Sequence, residues 1–204
     1  MNYWWVNQKQ TFRHEVGDGY MWAPKLMKNG ARSEYYENMT KVRTGDVVFS
    51  YFKRSVSAIG VITSEGYSQQ KPNFGAAGDA WNTDGWMVNV DYTKLDKTVS
   101  PRDHIERLKP LLPQKYSPIR ENGLGNQVYL CAISAEMGAA LFSIIGTEAA
   151  PIVEEANEIQ GSDISDTEAE DHFYRKLIEK RTDIDSTEKS VLIQSRRGQG
   201  RFRN

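Results

Sequence analysis

Two tryptophans, Trp81 and Trp86, follow a run of small residues within residues 72–92. Indole offers a large flat apolar face, and a nucleobase that stacks on such a face gains roughly 1–3 kcal/mol. Trp81 lies among Gly, Asp, Asn and Thr, which are turn residues, whereas Trp86 opens an alternating segment that predicts a half-buried strand. Core packing explains a tryptophan in a strand more easily than one in a loop, so Trp81 is the first candidate for a stacking residue.

Trp22 is the second candidate because its local backbone is restricted. Pro24 biases Ala23 away from helix, which places Trp22 on extended or turn-like backbone. Either role, stacking wall or core residue, fits Trp22 and Trp81 at this stage. Trp86 begins the predicted strand, so packing competes with binding there.

Four other residues could complete a binding pocket. Tyr36 and Phe52 are aromatic side chains that could add to the stacking wall, although core packing is the simpler interpretation of each. Asn7 ends the first predicted strand and Ser50 lies in a later one. Either could hydrogen-bond the Watson–Crick edge of a base, which needs a donor and an acceptor at fixed distance, although a structural role is again the simpler interpretation.

Basic residues flank these candidates and could contact phosphates. One group lies beside Trp22 and the other lies in a predicted hairpin loop: Lys25, Lys28 and Arg32, then Lys53 and Arg54. The alternative is that these side chains contact only water, as most surface Lys and Arg side chains do.

Composition limits the classes of function. The chain has 204 residues, 39% of them hydrophobic, and a net charge of −1, so it can bury one core, and bulk charge does not indicate a nucleic-acid partner. A single cysteine, Cys131, lies in an apolar run and is predicted to be buried. The sequence has no Cys/His cluster, signal peptide or apolar run of membrane-spanning length, which favours a reducing cytoplasm and no membrane partner.

Catalytic motifs are missing from the sequence. The three histidines are far apart, and no GxSxG, HExxH, P-loop or dinucleotide fingerprint occurs. No catalytic residue, metal ligand or cofactor is therefore expected in this chain.

The predicted elements that position these residues are several strands with a few helices between them. This order predicts an α+β domain around a mostly antiparallel or mixed sheet. Thr11–Gly19 is predicted to be a loop. The strands are expected at residues 3–6, 47–52, 57–63, 87–92 and 128–133, and the main helices at 33–42 and 135–145.

The last quarter of the chain differs in composition. Residues 154–171 hold eight carboxylates and no Lys or Arg, which predicts a solvated acidic linker over 151–171. A helical pattern follows in residues 172–204, and the arginines near its end favour phosphate contact.

Residues 3–133 resemble the EVE domain, a relative of the YTH and PUA folds. The segments that carry the resemblance are YWWVNQ (3–8), GYMWAPK (19–25), NGARSEYYENM (29–39), GDVVFSY (45–51), AIGVI (58–62), FGAAGDAW (74–81), GWMVNVDY (85–92) and LLPQKYSPI (111–119). The segment TEKSVLIQSRRGQGRF (187–202) resembles the lead-in to an HNH nuclease domain. The combination is similar to the EVE–HNH modification-dependent restriction endonucleases of bacteria.

This resemblance implies a PUA-like pseudo-barrel over residues 1–150. It also implies that a modified cytosine, 5-methylcytosine or 5-hydroxymethylcytosine, is swung out of duplex DNA into an aromatic pocket. Trp22 and Trp81 match the positions of cage tryptophans in the related YTH pattern, and Trp86 keeps the two-tryptophan spacing.

The nuclease part of the resemblance is incomplete. The nuclease motif itself does not occur through Asn204, so this chain is expected to bind DNA without cutting it. A divalent metal is expected only for the HNH domain. A homodimer, an RNA-modification reader on the same fold and an enzyme with an unrecognised site remain alternatives.

Overall fold

The computed structural model describes residues 1–75, 77–79, 81–161 and residue 179. The predicted helical lead-in and arginine-rich tail, and the acidic linker beyond residue 161, lie outside this described part. The strands are β1 (Tyr3–Asn7), β2 (Tyr20–Pro24), β3 (Val47–Phe52), β4 (Ser55–Ile62), β5 (Tyr67–Gln70), β6 (Asp84–Val99) and β7 (Leu130–Ile133).

The helices are short apart from two near the end of the described chain. They are α1 (Phe12–Asp18), α2 (Glu34–Glu37), α3 (Ile105–Leu108), α4 (Ala135–Ile145) and α5 (Ala150–Gly161). Single 3₁₀ turns adjoin them at Asn38–Thr40, Pro101–His104, Lys109–Leu111 and Gly146–Ala149.

The strands form one mixed sheet in the order β2-β6-β4-β3-β1-β7, with β5 pairing to β6. β1 and β3 run parallel, and the other pairs are antiparallel. The sheet curls so far that its two edges meet: the backbone N–H of Trp22 in β2 donates to the hydroxyl of Tyr129, the residue before β7, at 2.9 Å. The result is a barrel whose last seam is closed by side chains instead of strand pairing.

The interior of the barrel is an apolar core to which six of the strands contribute. Alternate residues of β1, Trp4 and Val6, point inward and meet α1, whose Phe12 and Val16 close one end. The other strands add Met21, Ala23, Val48, Ala58, Ile62, Val88, Val90, Tyr92 and Leu130.

The outer face of the sheet carries a second core under the later helices. Trp5, between Trp4 and Val6, points outward here because side chains alternate across a strand. Leu108 of α3 and Met137 and Leu141 of α4 cover this face. Ser134 starts α4 as predicted, because its hydroxyl accepts from the backbone N–H of Met137 at 3.2 Å.

The predicted α+β fold, a pseudo-barrel of mixed strands with flanking helices, is confirmed. β3 and α4 have the predicted limits, and β6 runs well beyond the predicted segment at both ends. Cys131 is fully buried, and burial raises the pKa of its thiol to about 12.

The prediction of a loop at Thr11–Gly19 is wrong, because residues 12–18 form α1. Phe12, Glu15 and Val16 are buried at helical spacing, and Gly19 ends the helix with φ +75°. Gly17 and the polar residues hid this short apolar stripe in the sequence.

The structure also differs from the predicted acidic linker over its first half. α5 occupies residues 150–161, and its Ile152, Ala156 and Ile159 are buried in the outer core. Gln160 donates to the carbonyl of Gly45 at 3.2 Å, which fixes the end of the helix beside the turn before β3. The acidic side chains of α5 occupy its other positions, so their charge did not reveal the buried stripe.

The segment Ala135–Gln160, which joins α4 and α5, is by length and composition long and apolar enough to cross a membrane. This corrects the prediction that no run approaches that length. In the structure Met137, Leu141 and Ile152 of this segment pack on the outer face of the sheet.

The β3–β4 hairpin turns through only two residues, Lys53 and Arg54. Both have positive φ, +48° and +70°, as a type I′ turn requires, where Asn-Gly is the preferred pair. Such left-handed conformations cost about 1–3 kcal/mol for each non-glycine residue.

Ile152→Ala and Ile159→Ala test whether α5 belongs to the domain. Each substitution should lower the free energy of unfolding by about 2–5 kcal/mol, because each leaves a cavity under the helix. Denaturant titration measures the change, and Glu154→Ala, on the exposed side of α5, is the matched control. Isoleucine variants as stable as the control would show that residues 150–161 are the solvated linker of the sequence prediction.

Candidate functional site

A cleft of about 580 Å³ opens where β2 and the segment before β7 meet without pairing. Its volume is in the range of small-molecule sites. Five of its lining residues are aromatic: Trp22, Tyr35, Tyr36, Trp81 and Tyr129. The remaining lining residues are Asn7, Lys9, Thr11, Ala23, Pro24, Met27, Arg32, Ser33, Gln127 and Val128. We call it the aromatic cleft.

Trp22 forms the inner wall of the aromatic cleft and is held rigidly. Its indole N–H donates to the carbonyl of Gln69 in β5 at 3.1 Å. Its ring packs on the backbone of Gly85 so closely that a Cβ there would lie 2.3 Å from the ring. Only 1% of Trp22 is exposed, because the loop between β5 and β6 covers it. Both interpretations of Trp22 therefore apply to the same side chain: it is packed, and it lines the cleft.

Trp81 lies above Trp22 at the rim and is 38% exposed. The two indoles are near-parallel, with ring centroids 6.3 Å apart and planes 24° apart. Two bases stacked on either side of a third would be separated by roughly 6.8 Å, twice the 3.4 Å rise of a nucleic-acid strand. The 6.3 Å centroid distance, however, includes any lateral offset of the rings, and Trp22 is only 1% exposed. The space between the two indoles is therefore closed in this structure, and a base enters it only if the loop that carries Trp81 moves outward.

The loop that carries Trp81 is built around two glycines with positive φ, Gly75 and Gly78. The indole of Trp81 rests on Gly78, where a Cβ would come within 2.5 Å of the ring. The ring of Phe74 packs against both indoles, with centroid-to-centroid distances of 6.0 Å to Trp22 and 6.1 Å to Trp81. Lys71 anchors the loop through its ammonium group, which donates to the carbonyl of Gly78 at 3.0 Å.

The polar groups of the aromatic cleft are neutral or positive. Among the described residues that line it, Lys9 and Arg32 are cations and none is a carboxylate. The side chains of Ser33 and Gln127 make no hydrogen bond within the described part of the chain, which leaves them available to a ligand. The site suits a flat ligand that carries negative charge.

A buried carboxyl group, Glu15, lies directly behind the aromatic wall. It accepts hydrogen bonds from the hydroxyl of Thr11 at 2.6 Å, the backbone N–H of Trp22 at 2.9 Å, and the hydroxyl of Tyr129. Burial away from water raises the pKa of Glu15, and the hydrogen bonds oppose that rise only in part. Burial together with the Glu15 carboxyl also holds the pKa of Tyr129 well above its usual value.

The structure brings together five of the residues predicted from the sequence. Trp22, Trp81, Tyr36, Asn7 and Arg32 all line the aromatic cleft. Asn7, however, already uses its amide: it accepts from the indole of Trp5 at 2.8 Å and donates to the carbonyls of Pro118 and Asn126, each at 3.1 Å. Its main contribution is to shape the cleft.

Seven other predicted residues lie outside the aromatic cleft, and four of them are on separate parts of the surface or in the barrel interior. Ser50 is fully buried inside the barrel and donates to Gln8. Trp86 lies on β6 with the ammonium group of Lys25 at 4.6 Å from its ring, and Lys25 pairs with Asp84 at 3.1 Å. Lys28 is exposed on the loop after β2.

Phe52, Lys53 and Arg54 line a second cleft, which shares Asn7 and Lys9 with the first. The ring of Phe52 is stacked on Phe12 at 4.3 Å, so one of its faces is already covered.

Sequence reasoning missed Tyr35, Tyr129, Phe74 and Glu15. Tyr35 adjoins Tyr36, and Phe74 is in the loop of Trp81, so proximity to the other candidates was an available signal. Tyr129 and Glu15 meet only because α1 and the end of the chain before β7 fold together, and no local pattern indicates that contact.

Within the described residues, no three His, Cys, Asp or Glu side chains are grouped as metal ligands. The described residues that line the aromatic cleft are aromatic, cationic, neutral polar or apolar.

Comparison of the sequence with protein-family models and with curated proteins gives no match. Among solved structures, protein PSPTO5229 from Pseudomonas syringae has 12% identity and a TM-score of 0.48, with 71% of this chain and 99% of that chain covered. Human THYN1 in complex with 5-methylcytosine-containing DNA has 11% identity and a TM-score of 0.43, with 72% and 99% covered. The N-terminal domain of Staphylothermus marinus McrB has 13% identity and a TM-score of 0.41, with 69% and 93% covered. All three are distant likenesses of overall shape.

Glu15→Gln tests the state of the buried carboxyl. Because burial raises the pKa of Glu15 in the folded protein above its usual value, folding favours the protonated acid. The unfolding free energy of the unaltered protein should therefore fall as the pH rises from about 4.3, the unfolded value, through the folded pKa. Glutamine imitates the protonated acid and should remove this fall.

Denaturant titrations between pH 4 and 8 measure the difference. Asp96→Asn, an exposed carboxylate outside the cleft, controls for the lost charge and should leave the pH dependence in place. Parallel pH profiles of Glu15→Gln and the unaltered protein would contradict a buried acid with a raised pKa.

Proposed function

We propose that this chain recognises a modified cytosine in duplex DNA by accepting the flipped base between Trp22 and Trp81. The observation that carries the proposal is the near-parallel pair of indoles in a cleft that has cations and no carboxylate among its described lining residues. Stacking on flat faces of this kind depends little on which base is bound, so contacts with the edges and small substituents of the base must supply specificity.

The energies require both indoles. Extruding a base costs a few kcal/mol of duplex stacking and pairing, and each aromatic face returns roughly 1–3 kcal/mol. Burying one methyl group adds only on the order of 1 kcal/mol, a factor of about five in affinity. Two stacking faces must therefore offset the extrusion before the methyl group can decide between bases.

The lining of the aromatic cleft suits this division of roles. Ala23, Pro24, Met27 and Val128 give apolar surface against which a 5-methyl group can be buried. Ser33 and Gln127 provide donor and acceptor groups for the edge of the base. Arg32 lies at the same cleft and suits the phosphate of the flipped nucleotide, because a guanidinium group can bind phosphate with two parallel hydrogen bonds.

The role in the cell that we infer is that of the specificity module of a modification-dependent restriction endonuclease. Its support is the resemblance of residues 3–133 to the EVE domain and of residues 187–202 to an HNH lead-in. In this view the chain locates the modified base in the bacterial cytoplasm, and an HNH domain with its divalent metal cuts the DNA.

Trp81→Ala tests the stacking pair. It should weaken binding to a 5-methylcytosine duplex by about 1–3 kcal/mol, or roughly 5- to 150-fold. The melting temperature should fall only modestly, because Trp81 is 38% exposed although it also packs on Phe74 and Gly78. Fluorescence anisotropy with duplexes that carry cytosine, 5-methylcytosine, 5-hydroxymethylcytosine or N6-methyladenine measures both affinity and preference. If the protein instead prefers the N6-methyladenine duplex or a matched RNA, modified cytosine in DNA is not its ligand.

Trp86→Ala is the matched control, since it removes an indole nearby that lies outside the cleft. It should preserve the preference for the modified duplex. Trp22→Phe keeps a ring at the inner wall and should retain part of the affinity, whereas Trp5→Ala, in the outer core, should lower stability by about 3–5 kcal/mol. A Trp81→Ala variant that retains the full preference would place the binding site elsewhere.

A nicking assay tests whether binding is separate from cutting. The chain is expected to leave a methylated plasmid intact in Mg²⁺ or Mn²⁺, because its described residues offer no grouped metal ligands. Gel analysis of supercoiled, nicked and linear forms measures the outcome. Nicking that depends on methylation and persists through purification would assign the chain a catalytic site of its own.

A further inference from the structure

A second cleft of about 330 Å³ adjoins the aromatic cleft on the same side of the barrel. The two share Asn7 and Lys9. The segment before β7 forms a common floor: Leu124, Gly125 and Asn126 line the second cleft, and the next three residues, 127–129, line the first. The two clefts are therefore contiguous along residues 124–129.

The second cleft is strongly cationic. Lys9, Lys53, Arg54 and Arg120 line it, and among its described lining residues there is no carboxylate. None of these cations forms a salt bridge with another described residue; Arg120 contacts only the neutral amide oxygen of Asn126, at 3.3 Å. A cleft lined by four cations and by no described carboxylate has a positive potential that attracts an anion.

The turn that carries two of these cations is unfavourable for them. Lys53 and Arg54 hold φ values of +48° and +70°, which Asn and Gly adopt more easily. Nothing in the packing of the turn requires long basic side chains: Arg54 is exposed, and Lys53 reaches back over the ring of Phe52 at 5.3 Å. Backbone strain that packing does not explain points to a functional reason for these two residues.

The floor of the second cleft is rigid. Gly125 donates its backbone N–H to the hydroxyl of Tyr51 at 3.1 Å, and a Cβ on Gly125 would come within 2.6 Å of the Tyr51 ring. Tyr51 itself packs on Trp5 of the outer core, with ring centroids 5.4 Å apart. The cations therefore surround a fixed surface.

We propose that the second cleft binds successive phosphodiester groups of the strand that delivers its base to the aromatic cleft. This subsite rests on the proposed function, since it continues the path of the same strand from Lys9 past the β3–β4 turn. It fixes the direction in which the strand crosses the protein and contributes affinity that does not depend on the base.

The double variant Lys53→Asn with Arg54→Gly tests the subsite, because it removes both charges and gives the turn the residues that it prefers. We expect an equal or higher melting temperature and an affinity about tenfold lower at low salt for modified and unmodified duplex alike. The slope of log K against log[salt] should become shallower by about 1.8 for the two lost phosphate contacts. The ratio of the two affinities should not change.

Lys94→Gln with Arg107→Gln removes the same charge from exposed positions that line neither cleft, and it should barely alter the slope. A slope equal in the two double variants, or a loss confined to the modified duplex, would overturn the subsite. If the unaltered protein shows no preference for modified duplex, the proposed function is contradicted. The comparison of salt slopes would still show whether the second cleft binds phosphodiester groups.

Competition with pyrophosphate distinguishes two possible ligands of the second cleft, the phosphodiester groups of a nucleic-acid strand and a free phosphate-containing anion. As a competitor it should displace the oligonucleotide from the unaltered protein and lose this effect in the turn variant. Pyrophosphate that binds through Lys53 and Arg54 without weakening oligonucleotide binding would show that the second cleft takes a free anion, which would overturn the proposal.

Discussion

The hydrogen bonds of one buried carboxyl group, Glu15, close the barrel where its two edge strands fail to pair. Within the described part of the chain, β2 pairs with β6 alone and β7 with β1 alone. Across the remaining seam, Glu15 and Tyr129 satisfy the backbone N–H of Trp22 in place of a neighbouring strand. A buried N–H without a partner would be costly, so this contact allows the seam to stay open to ligand without exposing the edge of β2.

The aromatic cleft follows from that open seam. In a fully paired barrel, strand backbone would occupy this position. Here the side chains of β2, of the segment before β7 and of the β5–β6 loop surround the aromatic cleft instead. Gly85 and Gly78 then set the two indoles, because each ring occupies the place of a side chain that glycine lacks. The fixed face of Trp22 suits a reader of bases, since that side chain loses little ordering entropy when a base stacks on it.

The sequence predicts the sheet better than it predicts the site. Strands such as β3 and β4 are long apolar runs with a clear turn between them, and α4 has a capping serine, so local patterns suffice. α1 and α5 were missed because each buries a narrow stripe among polar or acidic residues, and only the tertiary contacts of Phe12 and Ile159 show it. Trp22 and Trp81 could be proposed from their local backbone, but Glu15 could not, because a carboxyl group is rarely buried without a partner and its partner Tyr129 lies 114 residues away. Ser50 looked like a pocket residue because it neighbours aromatics, yet strand alternation directs it into the barrel.

¹⁹F NMR can show whether a flipped modified base lies between Trp22 and Trp81. Protein labelled with 5-fluorotryptophan gives a signal for each of its five tryptophans, assigned by single Trp→Phe variants. Titration with a short duplex that contains 5-methylcytosine should shift the signals of Trp22 and Trp81 strongly, leave those of Trp4 and Trp5 in place, and produce smaller shifts with the unmodified duplex. Binding that leaves the signals of Trp22 and Trp81 unchanged, or that shifts only the signal of Trp86, would contradict the claim.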